Sequence, residues 1–231
     1  MAESRARAAG MLSRALAIAV LAALWAGAAG AAFAASNNDT LTQTLDGLQR
    51  RYRDTQSYSA KFVETIAPVG SPAKVRTGTV YFRKPGRMRW EFEEPSRELI
   101  VSDGTRIYNY DPDLNQVVEA PLAQALRAPG ATEFLLGAGD ISRDFKASLI
   151  KNSADEALTH VKLVPKSPGN TIELGIEDKT YKIQSIRVVD QLGNVTDLKL
   201  TGIEDNLPVS DSLFTFSPPP GADIVQSTPV K

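Results

Sequence analysis

The sequence predicts a mainly β domain: one large antiparallel sheet of about ten strands, with short helices covering one of its faces. Three observations carry this reading. From Ser57 onward apolar and polar residues alternate, the period-two pattern of strands buried on one face only. Turn signals interrupt the alternation at short spacing, at Pro85-Gly86, Asp103-Gly104, Asp111-Pro112-Asp113, Pro168-Gly169-Asn170 and Leu192-Gly193-Asn194. Connections this short cannot carry the crossovers that parallel strands need, so the strands form a meander.

The elements follow in chain order. Arg5, Arg7 and Arg14 precede an uncharged run from Ala15 to Ala35, and Ala32-Phe33-Ala34 supplies a small-residue cleavage site, so residues 1–34 read as a secretory signal. An uncleaved anchor fits less well, because the second half of the run is mostly Ala and Gly. Residues 35–231 then form one domain. Segment 38–55 reads as a helix capped by Asn38 or Asp39, with Leu41, Leu45, Leu48 and Tyr52 on one stripe. In the first strands Tyr58, Ala60 and Phe62 alternate with Ser59, Lys61 and Val63, Val80 and Phe82 with Thr79 and Tyr81, and Met88, Trp90 and Phe92 with Arg89 and Glu91. Further strand-like runs occupy 99–102, 106–110, 116–119, 145–150, 160–164, 171–176, 182–189, 195–201 and 213–216. Between them, 121–141 holds two short helical stretches separated by Pro129-Gly130, and with the first helix it offers enough apolar surface to cover one sheet face. After Pro218-Pro219-Pro220-Gly221, residues 218–231 read as a loosely held tail or edge segment.

Composition excludes several functions. Lys+Arg and Asp+Glu number 26 and 27, which leaves no long-range field to draw in nucleic acid. Residues 1–34 carry Glu3 against Arg5, Arg7 and Arg14, so their removal takes the formal net charge from −1 to −3. The chain has no Cys, which rules out disulfides, iron–sulfur clusters, thiolate zinc sites and a lipid-modified N-terminal cysteine. Its one His, His160, has no second imidazole to share a metal with, so neither a metal nor a cofactor is expected. Export without cysteine suits a bacterial periplasm.

Catalytic motifs fail on inspection. Asp111-Pro112-Asp113-Leu114-Asn115 begins like a calcium loop, but Gln116 stands where Gly is needed and Leu122 where a bidentate Glu is needed. Ser71-Pro72-Ala73-Lys74 and Ser148-Leu149-Ile150-Lys151 match S-x-x-K, yet lie in a turn and a strand rather than on a helix. Glu91, Glu93 and Glu94 cluster as a glycosidase pair would, but Arg89, Glu91 and Glu93 read as a solvated charge ladder on the face opposite Met88, Trp90 and Phe92. His160 lacks a Ser or Asp partner in sequence. Arg83, Lys84, Arg87 and Arg89 among Tyr81, Phe82, Trp90 and Phe92 resemble a single-strand platform, but in an exported chain they read better as a cationic rim for a membrane, a protein or nearby carbonyls.

One family does match. Gly78-Thr79-Val80-Tyr81-Phe82-Arg83-Lys84-Pro85-Gly86-Arg87-Met88-Arg89-Trp90, then Pro95, Ile100-Val101-Ser102-Asp103-Gly104, Tyr108-Asn109-Tyr110-Asp111-Pro112, Gln116, and Phe214-Thr215-Phe216-Ser217-Pro218-Pro219 together resemble the periplasmic outer-membrane lipoprotein carrier family, LolA. The resemblance implies a strongly curved antiparallel sheet forming an incomplete barrel, closed by a helical lid over an apolar cavity for acyl chains. It implies a monomeric periplasmic carrier, not an enzyme, whose cargo comes from an inner-membrane ABC transporter complex. That cargo would pass to an outer-membrane lipoprotein acceptor of similar fold. A chain without cysteine cannot be that acceptor. The resemblance places Met88, Trp90 and Phe92 in the cavity and Phe134, Leu135 and Leu136 in the lid. It also implies a cation before the strand-ending proline that ties the lid, here Lys84 or, one residue earlier, Arg83, expected to meet carbonyls of 121–141. A regulatory module of the same fold that senses lipoproteins is the alternative, and 197 residues leave it little room for a partner-binding domain.

Overall fold

The structure, a computed structural model, describes residues 37–125, 141–151, 155 and 157–226. Helix α1 (Asn37–Asp54) leads into strands β1 (Ser57–Ala67), β2 (Lys74–Arg83), β3 (Arg87–Glu94), β4 (Glu98–Asp103), β5 (Arg106–Asp111) and β6 (Gln116–Pro121). Two single-turn helices follow, α2 (Leu122–Ala125) and α3 (Ile141–Asp144). The second half runs through β7 (Phe145–Leu149), β8 (Leu158–Pro165), β9 (Thr171–Glu177), β10 (Ile183–Val189) and β11 (Val195–Asp205), then a 3₁₀ turn (Asp211–Phe214) and β12 (Asp223–Gln226).

All twelve strands join one open sheet in the order β12-β6-β5-β4-β3-β2-β1-β11-β10-β9-β8-β7. The order describes two meanders that meet at β1 and β11, the longest pair, so the sheet curls into an incomplete barrel with two free edges. Alternation sends one side chain in two to the inner face: β3 buries Met88, Trp90 and Phe92 while Arg87, Arg89 and Glu91 stay half-exposed. Inner residues from nearly every strand, together with Leu48 of α1, form one contiguous apolar cluster.

The turns keep this register. Asp103 Oδ1 accepts from the N–H groups of Thr105 and Arg106 at 2.7 and 2.8 Å, and Asp190 Oδ1 accepts from those of Leu192 and Asn194 at 2.8 and 2.9 Å, so each carboxylate closes its own hairpin. Gly78 is required where it stands: a Cβ there would lie 1.9 Å from the Glu91 carbonyl oxygen and 2.8 Å from the Phe62 ring.

Three sequence expectations change. Among the described residues the sheet has twelve strands rather than about ten, because the tail contributes β12, which pairs with β6 in parallel. The run 213–216 is not a strand: Ser210 caps the 3₁₀ turn over Asp211–Phe214 through its side chain, and the turn buries Phe214. The 121–141 stretch is helical at Leu122–Ala125 and begins α3 at Ile141, while residues 126–140, and with them Phe134, Leu135 and Leu136, lie outside the described residues.

Candidate functional site: the covered inner face

Aromatic side chains stand at the centre of the inner face. The Phe62 ring packs edge-on against Trp90 and Phe92, with centroids 4.9 and 5.1 Å apart, an arrangement that adds to plain area burial. From Trp90 the apolar surface continues through Val80 and Ile100, its partners on either side, and from Phe62 through Leu200 on β11. It runs on along β10, β9 and β8 through Ile186, Leu174 and Val161. Such a surface can do one thing chemically, which is to remove hydrocarbon from water.

Helix α1 lies over this face. Leu48 is buried on it, and Leu41, Leu45 and Tyr52 pack beside it. Gly47 lets the helix approach, since a Cβ there would sit 2.2 Å from the Tyr181 ring. Two polar ties hold its C-terminal end. Lys84 donates from Nζ to the carbonyl oxygen of Tyr52 and to that of Arg53 at 3.4 Å, two carbonyls the helix itself leaves unsatisfied, and its ammonium lies 3.7 Å from the Tyr52 ring centroid. On the other flank Arg51 pairs with Asp205 of β11. Burial holds the Lys84 ammonium below its ordinary value against the opposing charge of Asp54. Burial also pushes the Tyr52 phenol up to about 12, and raises the Tyr58 phenol further, with the Asp205 charge adding to it.

Among the described residues Lys84 ties α1, and the contacts of Arg83 lie on the other side of the sheet. The carbonyls of 121–141 that both were expected to bond lie for the most part, at 126–140, outside the described residues. Arg83 is the last residue of β2, and its parity points outward: Nη1 donates to the Val209 carbonyl at 2.8 Å and the guanidinium pairs with Asp211. Arg87 Nη1 meets Asp211 at 2.5 Å and Arg89 Nη1 donates to the Leu213 carbonyl at 3.2 Å. The cationic row is thus a clasp for residues 206–222, which cross the outer face and set Phe216 against Tyr108 and Tyr110.

Of the six expected cavity and lid residues, Met88, Trp90 and Phe92 come together on β3, each no more than 3% exposed. Among the described residues they pack against Phe62, Val80 and Ile100. An enclosed space of about 20 Å³ lies beside Trp90, Tyr58, Ile186 and Leu198 under Arg51, room for about one water. Away from this face, His160 Nε2 lies 3.0 Å from the Asp155 carbonyl oxygen, and no three His, Cys, Asp or Glu side chains among the described residues converge as metal ligands.

Sequence reasoning missed the buried ions Glu64, Arg76 and Glu98 and the Gly47 contact. Parity held the signal for the first two: Glu64 follows Phe62 by two residues on β1, and Arg76 precedes Gly78 by two on β2. A lone Gly inside a helical pattern is likewise a mark of close approach.

The class is that of an open, mainly antiparallel sheet whose apolar inner face is covered by a helix. The family profile of the outer membrane lipoprotein carrier protein LolA matches residues 53–217. An outer-membrane lipoprotein carrier protein of Bordetella pertussis is 32% identical over 217 residues, covering 92% of this chain and 95% of that one. One from Methylibium petroleiphilum is 30% identical over 186 residues, covering 78% and 88%. The chain belongs to this family of carriers. A crystal structure of an uncharacterised conserved protein from Thermus thermophilus shares the fold, with a TM-score of 0.52 at 18% identity over 81% of this chain and 99% of that one.

Proposed function

We propose that the protein is a soluble periplasmic carrier that shields the acyl chains of lipoproteins between an inner-membrane ABC transporter complex and an outer-membrane lipoprotein acceptor. Membership of a carrier family supports the class of activity. The observation that carries the reading is the inner face itself, a continuous apolar surface across both meanders under a helix tied at one end by side-chain bonds to carbonyls. No helix among the described residues is long and apolar enough to cross a membrane.

The physical need is plain. Exposing an acyl chain to water costs about 0.8 kcal/mol per CH₂, on the order of 10 kcal/mol for one long chain, so an escort must cover it. In the empty protein α1 and the protein's own side chains fill the inner face. Cargo binds the state in which α1 has swung away, and closure then competes with cargo for the same surface. Each bond from the Lys84 ammonium favours the closed state and therefore release.

Mass spectrometry of the protein recovered from the periplasm tests this directly: an acylated polypeptide is expected to accompany it. Transfer measurements refine it, because Lys84→Leu should load cargo and pass it on more slowly, whereas Arg83→Leu should transfer as the wild type does. Recovery without any acylated ligand, from cells actively making lipoproteins, contradicts the reading.

A further inference from the structure

The inner face is not apolar throughout. Glu64, two residues beyond Phe62 on β1, stands opposite Arg76 on β2, and Phe92 on β3 stands opposite Glu98 on β4. Arg76 joins the two carboxylates, donating from Nε to Glu64 Oε2 at 2.7 Å and from Nη1 to Glu98 Oε2 at 2.6 Å. Its guanidinium carbon lies 4.0 Å from the Phe92 ring centroid. The Glu64, Arg76 and Glu98 side chains are 1, 8 and 9% exposed. Such a row is a poor device for stability, since well-packed apolar residues of similar volume commonly do as well or better. Its position is the informative feature. It abuts the aromatic trio on the β1–β4 side, while across β11 the apolar row resumes at Leu198, the register partner of Glu64, and continues to Ile186.

We propose that the Glu64–Arg76–Glu98 row is a polar stop, ending the acyl-binding face on the β1–β4 side and setting the chain length that the site accepts. The inference rests on the carrier reading. Parting Arg76 from Glu98 to let a chain through breaks a buried, charge-assisted pair, a larger penalty than the gain from burying another CH₂ or two. A chain end that reaches the row therefore halts there. Glu98 Oε1 is buried and accepts no hydrogen bond among the described residues, so a chain ending in a hydroxyl meets an acceptor where a methyl-ended chain meets none.

The test measures how lysophospholipids of increasing saturated chain length displace an environment-sensitive apolar dye from the purified protein. Affinity should rise about fourfold per added CH₂, the equivalent of 0.8 kcal/mol, and then level off at a defined length. In the variant Glu64→Leu/Arg76→Met/Glu98→Leu the levelling should move to chains longer by about two CH₂ groups or more. A second arm needs no variant: at the limiting length, an ω-hydroxy chain should bind the wild type within about threefold of its methyl-ended counterpart, where a hydroxyl without a partner would cost about tenfold. An unmoved plateau in the folded triple variant, a series without any plateau, or a tenfold penalty for the hydroxyl in the wild type overturns the polar stop and leaves the carrier reading intact. Failure of every chain length to displace the dye overturns the carrier reading, and the stop with it.

Discussion

Arg83 and Lys84 are adjacent in sequence and serve opposite faces of the sheet. Arg83, still in strand register, points outward and clasps residues 206–222 through Val209 and Asp211. Lys84, just past the strand, turns to the C-terminal carbonyls of α1 over the inner face. The two segments that they hold differ in kind. On the outer face the clasp partner Asp211 is 79% exposed, and water can replace what it gives. On the inner face α1 covers residues that are almost wholly buried. One cation thus holds a segment on a solvated surface, whereas its neighbour holds a helix over a dry one.

The largest effect that separates the faces is packing. Trp90→Ala should cost about 3–5 kcal/mol, measured by chemical denaturation, because the indole is 2% exposed between Phe62 and Phe92. A loss under about 1 kcal/mol would mean that the inner face is loosely filled, and would erase the contrast. Next comes Gly47→Leu, which forces the Tyr181 ring aside and should cost about 1–3 kcal/mol by overpacking, read as the loss of α1 protection in hydrogen exchange. Lys84→Leu should cost about 1–2 kcal/mol, the value of a charge-assisted bond discounted for partial exposure, and should raise exchange in α1 without touching 206–222. Arg83→Leu should do the reverse at under about 1 kcal/mol, since its ion pair is solvated. Equal exchange in α1 for both variants would break the comparison.

The smallest effect is acid titration of the hairpin carboxylates. At Asp103 burial pushes the carboxyl up, but hydrogen bonds from the Arg106 and Thr105 N–H groups and the Thr105 hydroxyl hold it below its ordinary value. At Asp190 burial is likewise outweighed by the Asn194 side chain and the N–H groups of Asn194, Leu192 and Gly193. A depressed carboxylate contributes stability that is fully present above its unfolded value, near pH 4, and is lost as pH falls through the folded value. The double variant Asp103→Asn/Asp190→Asn should therefore show a shallower decline in unfolding midpoint below about pH 4. An acid limb as steep as the wild type's would show that these turns contribute nothing.

Sheet class, strand positions and the inward set Met88, Trp90 and Phe92 were legible because period-two alternation is local and strong. What stayed hidden is what alternation does not encode. The same period that marks Phe62 as inward marks Glu64, yet a charge is read as solvated by default, and only the register of β1 against β2 reveals that Arg76 faces it. The direction of Arg83 was available from parity, whereas its partners Val209 and Asp211 lie more than a hundred residues away. Likewise, β12 is a short strand that exists only because β6 offers it an edge.

The central claim is that hydrocarbon occupies the inner face when α1 moves away. Trp90 reports on that face, and in protein made to begin at Ala35, which omits Trp25, it is the one tryptophan. Titration with a lipopeptide carrying brominated acyl chains, followed by tryptophan fluorescence, is the direct measurement. The account predicts saturable quenching at one lipopeptide per protein, reversed by an unbrominated competitor. Undiminished Trp90 emission at concentrations where the lipopeptide is demonstrably bound would place the acyl chains elsewhere and contradict the account.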